Sequence, residues 1–110
     1  MKSVTEFLSE KGFIFSDFRK IGKQALNTKK QIDIFSGCDI KNHFISVFIV
    51  RQKNRFISKD ATVLNELKEK LILLEDHNFK QNILLITGDI CGKSTKYLSS
   101  NNWKIYNDFV

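Results

Sequence analysis

Proline is missing from all 110 residues, and cysteine occurs only twice, as Cys38 and Cys91. The missing proline, beside so many Lys, Asn, Ile and Phe, reflects an A·T-rich genome more than a function. The two cysteines lie far apart, with no CxxC pair and no ligand spacing. That excludes a zinc module or a disulfide framework and leaves them as reduced, half-buried small residues. No apolar run approaches the roughly 18 residues of a membrane span. The N-terminus has no signal-peptide pattern, so the expectation is a cytoplasmic protein with no membrane partner. Linkers, repeats and low-complexity stretches are absent too. One domain over 1–110 is expected, with a modest core.

What is present is globular and basic. Hydrophobic residues make up 42% and charged residues 27%, which places the chain among ordinary folded domains. The net charge of +6 is carried by residues 1–55, where eleven Lys/Arg face five Asp/Glu. Residues 56–110 hold seven of each. One-sided basicity suits a polyanion, and nucleic acid is the commonest for a soluble protein. A lysine-rich proteome gives the same surplus without any function.

The pattern of apolar residues gives an element order. Ser3-Val4-Thr5-Glu6 is a capping-box signature, and Gly12 is a natural stop, so 4–11 reads as helix. Phe13, Ile14, Phe15 and Phe18 lead into a polar, basic stretch from Arg19 to Lys30 that reads as a short strand or an irregular turn. The runs 31–35 and 44–51 are β-branched and aromatic. The second is apolar on both faces, as a central strand is. Gly37-Cys38-Asp39 and Lys41-Asn42 read as the turn of the hairpin between them. Ser58-Lys59-Asp60 opens a helix over 60–76, with Leu64, Leu67, Leu71 and Leu74 as the stripe that packs on the sheet. A strand over 82–87, a helix over 93–100 and a last strand over 103–106 follow. A long helix between two apolar strands implies a right-handed crossover and a parallel pair. The fold class is therefore α/β, with a mixed central sheet and flanking helices.

Residues 88–95 read GDICGKST and invite comparison with a phosphate-binding loop. The comparison fails on spacing. Such a loop places four residues between its first glycine and the Gly-Lys pair, so that backbone N–H groups wrap the phosphates. Here only Asp89, Ile90 and Cys91 intervene. Fifteen residues follow Thr95, too few for the strands that would carry a magnesium-binding acid. The expectation is a strand-to-helix turn with no affinity for a nucleotide triphosphate.

The order helix, three strands, helix, strand resembles the core of the restriction-endonuclease-like, PD-(D/E)XK, nuclease superfamily. Gln31-Ile32-Asp33-Ile34 is similar to the strand that bears that family's metal-binding aspartate. Val47-Phe48-Ile49-Val50-Arg51-Gln52-Lys53 is similar to the next strand, with its (D/E)-x-K triplet. The segment ILLITGDICGKSTKYLSSNNWKIY resembles the closing strand, helix and strand. The likeness spans nearly the whole chain and implies an αβββαβ core. It also implies that two carboxylates would hold Mg2+ while a lysine two residues after the second handles the attacking water.

Only the first part of that triad is in place. Asp33 matches the first metal ligand. The second acid falls at Ile49, which offers no ligand, and the lysine falls at Arg51. Arginine stays protonated and cannot act as a base, though it can hold a phosphate. Glu6, Glu10 and Asp39 are the candidate substitute acids, and Lys53 is a displaced lysine on the same strand face. Asp33 and Lys53 are therefore the candidate catalytic residues. Lys29, Lys30, Arg51, Lys53 and Arg55 form a candidate phosphate-binding set, with 51, 53 and 55 alternating along one face. His43 and His77 read as solvated, and Trp103 and Tyr106 as core.

Three functions follow from this reading. The first is a nucleic-acid-binding protein, for DNA or RNA, on a nuclease-like fold without an intact metal site and without a cofactor. The second is an active Mg2+-dependent nuclease with relocated ligands. The third is a small subunit that docks on a protein partner, or on a second copy, through its sheet edge or leucine helix.

Overall fold

The computed structural model describes residues 3–22, 32–51 and 55–107. Among the described residues three helices and five strands follow in the order α1 (Val4–Glu10), β1 (Phe15–Ile21), β2 (Ile32–Asp39), β3 (Phe44–Val50), α2 (Ser58–Glu75), β4 (Gln81–Ile86), α3 (Gly92–Ser100) and β5 (Trp103–Tyr106). The sheet runs β1-β2-β3-β4-β5. The first three strands form an antiparallel meander, and β4 and β5 join it in parallel. The sheet is thus mixed, as the crossover helix required. No described helix is long and apolar enough to cross a membrane.

Local chemistry sets these boundaries. Ser3 caps α1 by accepting the Glu6 amide at 3.2 Å, and Gly12 leaves the helix at φ +95°, where a side chain would be strained. The basic stretch after Phe18 begins inside β1, so its first residues, Arg19 to Ile21, are strand. The hairpin is placed differently from the sequence expectation. Gly37, Cys38 and Asp39 belong to β2, opposite Ile45 and Phe44 for the first two, and the turn lies at 40–43. Gly37 is needed for a close approach: a Cβ there would sit 2.7 Å from the Phe15 ring of β1. Asp39 organises the turn by accepting the amides of Lys41 and His43 at 2.9 and 2.8 Å, while Asn42 takes a left-handed φ of 66°.

Apolar layers cover both faces of the sheet. On one face α2 and α3 close over Ile34, Phe48, Val50, Leu84 and Ile86. Trp103 belongs to this layer, and its indole N–H is satisfied by Asn65 Oδ1 at 3.2 Å. On the other face Phe7 and Leu8 of α1 cover Val47, Ile49, Ile83 and Leu85, with Phe18, Phe35 and Tyr106 at the margin.

The leucine stripe of α2 is shorter than expected. Ala61, Leu64, Leu67 and Leu71 are buried, but Leu74 is 46% exposed. At about 100° per residue, Ala61 and Leu67 lie about 60° either side of Leu64, whereas Leu74 lies about 80° away, outside that arc. Leu67→Ala is expected to destabilise the fold by about 2–5 kcal/mol in a chemical denaturation series. Leu74→Ala is expected to change it by less than about 0.5 kcal/mol.

Candidate nucleic-acid interface

The α1-side face of the sheet carries the charged site. Along each strand alternate side chains share a face. Phe35 and Ile49 lie in the α1-side layer, which assigns Asp33, two residues before Phe35, to the same side. In the β2–β3 ladder Asp33 stands directly opposite Ile49. Arg51, two residues beyond Ile49, reaches back so that its Nη1 donates to Asp33 Oδ2 at 2.6 Å. From the other flank, Lys20 of β1 brings its Nζ to 3.5 Å from Asp33 Oδ1. One carboxylate therefore lies between two cations, one oxygen towards each.

The group is at the surface but not fully in water. The Asp33 side chain is 30% exposed, against 50% for Arg51 and 64% for Lys20. Partial burial works to raise the Asp33 pKa. The Arg51 hydrogen bond and the neighbouring Lys20 and Arg51 charges together outweigh it and hold the carboxyl below its ordinary value. Asp33 is thus an anion at neutral pH, in a setting that holds two cations in place.

The other expected residues are distributed as follows. Arg55 is exposed just before Phe56, which makes a parallel bridge to Ile90. β3 ends at Val50, so Arg51 and Arg55 both lie outside the strand. Lys29, Lys30 and Lys53 lie outside the described residues. Asp39 sits at the far end of β2 from Asp33, about 20 Å away at strand rise. Its carboxyl is held below the usual range, first by the His43 amide. Glu6 and Glu10 line an open groove with Asp17, Phe13, Phe15 and Phe18 at the start of β1. Asp17 pairs with Cys38, five residues from Asp33 along β2 and about 17 Å away at strand rise. No group of three or more His, Cys, Asp or Glu side chains among the described residues is placed to hold a metal ion.

Lys20 escaped the sequence reading. The signal was there: Phe18-Arg19-Lys20 puts Lys20 two residues after an apolar residue, on the face that a strand would share with it. Treating the stretch from Arg19 as either strand or turn hid that phase.

The GDICGKST segment runs from the β4–α3 connection into the first turn of α3. Its backbone is engaged within the chain. The Phe56 amide donates to Asp89 and the Cys91 amide to Phe56, while Ser94 and Thr95 donate to Cys91. Those N–H groups do not converge on an open cradle.

Two solved structures superpose on this fold. One is a repair endonuclease from Pyrococcus abyssi, superposing with a TM-score of 0.52 at 13% identity over 82% of this chain. The other is EndoMS in its apo form, with a TM-score of 0.51 at 12% identity over 96% of this chain. The fold is nuclease-like. At such identities the likeness concerns the fold alone, and the chain covers only 38% and 46% of those two proteins. No protein-family model matches the sequence, and no curated protein matches it significantly.

Proposed function

We propose that this nuclease-like domain binds nucleic acid, DNA before RNA, through Arg51, Lys20 and the basic residues around them, and that it does so without a catalytic metal. The observation that carries the reading is the Arg51–Asp33 ion pair opposite Ile49. A divalent ion of the Mg2+ class takes oxygen ligands, usually at least two carboxylates or a carboxylate with substrate phosphates. Here the residue facing Asp33 is an isoleucine that is 1% exposed. A guanidinium stands against one Asp33 oxygen and an ammonium lies near the other. Among the described residues, the donors around Asp33 do not fit a divalent ion.

The same replacements suit binding. A guanidinium presents a planar fork of N–H donors matched to phosphate oxygens, and it keeps its charge at any physiological pH. Lys20 adds a second cation on the same face, and the sequence supplies further cations at Lys29, Lys30, Lys53 and Arg55. The two structural neighbours are named as repair endonucleases, which favours DNA as the ligand.

The test is to incubate the protein with circular single- and double-stranded DNA, with Mg2+ or Mn2+. Retarded but intact circles are expected, with affinity that falls steeply as salt rises. Cleavage that disappears in Asp33→Ala would establish an active nuclease instead. Neither binding nor cleavage at low salt would leave a protein-interaction role.

A further inference from the structure

We infer that Asp33 is a built-in competitor for phosphate, capping Arg51 and Lys20 until a nucleic-acid backbone displaces it. This rests on the binding role proposed above for Arg51. The carboxylate stands as a phosphodiester would, with one oxygen 2.6 Å from the guanidinium and the other 3.5 Å from the ammonium. A phosphodiester also presents two non-bridging oxygens, and an arginine fork binds carboxylate and phosphate in the same manner.

Two features make the cap exchangeable. Ile49, directly across the ladder, has no polar group with which to fix Asp33. Both cations are at least half exposed, so the exchange takes place at the surface without opening the fold. It also sets the class of ligand. A single phosphate meets two cations already satisfied by Asp33, and the displaced carboxylate repels it. A polymer with several phosphates engages other cations of this basic chain as well and offsets that repulsion. The device therefore favours a continuous nucleic-acid backbone over a mononucleotide or inorganic phosphate.

A double-mutant cycle on a short labelled DNA duplex tests this at fixed salt. Asp33→Asn keeps the shape, removes the charge, and is expected to tighten binding about fivefold, the scale of a half-exposed ion pair. In an Arg51→Ala background, where the main capped group is gone, the same change is expected to tighten binding about twofold or less. Equal tightening in both backgrounds would overturn the inference, since Asp33 would then act only as a diffuse negative charge. No tightening in either background would overturn it as well. Should Asp33→Asn melt early, the cycle is read with Asp33→Ser in its place. An Arg51→Ala protein that binds as tightly as wild type would instead defeat the binding role itself, so the two failures are distinct.

Discussion

Replacing Arg51, Lys53 and Arg55 together with alanine is expected to weaken binding to duplex DNA by on the order of a hundredfold, at about 1 kcal/mol per charge-assisted contact. The loss should be uniform across sequences, because phosphate contacts position a protein without reading bases. The slope of log affinity against log salt should flatten by roughly one unit for each contact removed. Fluorescence anisotropy over a salt series reads both quantities from one data set. The structure singles out Arg51 within the trio. Its guanidinium lies against Asp33, where a backbone phosphate that displaces the carboxylate would be received. Arg51→Ala should therefore account for the largest share of that loss, and Lys20→Ala, a separate change on the other flank of Asp33, should by itself cause a loss of similar size.

The second large effect runs in the opposite direction, towards building a metal site. In the variant carrying Ile49→Asp and Arg51→Lys, a second carboxylate stands across the ladder from Asp33, where directly opposed Cβ atoms are about 4.5–5.5 Å apart. The lysine at 51 shares that face two residues on. Ile49 is fully buried beneath α1, so a carboxylate there without a counter-ion should destabilise the fold by about 2–4 kcal/mol. A divalent ion bound to the new pair should offset much of that loss, because ligand that binds only the folded state raises its stability. Thermal melts with and without Mn2+ provide the comparison. The variant is expected to melt early and to gain several degrees on adding Mn2+, whereas wild type should not move. A wild-type protein stabilised by Mn2+, with the effect lost in Asp33→Ala, would show that the native residues already hold a metal.

The fold was readable because its strongest signals are local. The all-apolar run 44–50 could only be an interior strand, and Leu64, Leu67 and Leu71 recur at helical spacing. An interior strand, a long helix and another apolar strand then imply a parallel crossover from handedness alone. The misreadings arose where a residue type serves two purposes. In sequence Gly37 looks like turn punctuation, yet it is in mid-strand to admit the Phe15 ring, and only the β1–β2 packing reveals that. Leu74 matched the spacing of the stripe but fell outside the arc that the sheet covers. At the site, Asp33, Ile49 and Arg51 could be aligned from sequence because i and i+2 share a strand face. Lys20 could not, since its partnership with Asp33 depends on β1 pairing beside β2. Asp39, Glu6 and Glu10 were candidate acids by residue type alone. Strand register separates Asp39 and the groove of the two glutamates from Asp33.

The central claim is that a resident guanidinium, and not a metal ion, meets the phosphate beside Asp33. Its most direct measurement is the affinity for a DNA duplex in EDTA and in Mg2+, with ionic strength held constant. The account predicts the same dissociation constant in both within about twofold, because no Mg2+ bridges Asp33 to the backbone. Tightening of tenfold or more in Mg2+, abolished by Asp33→Ala, would contradict it.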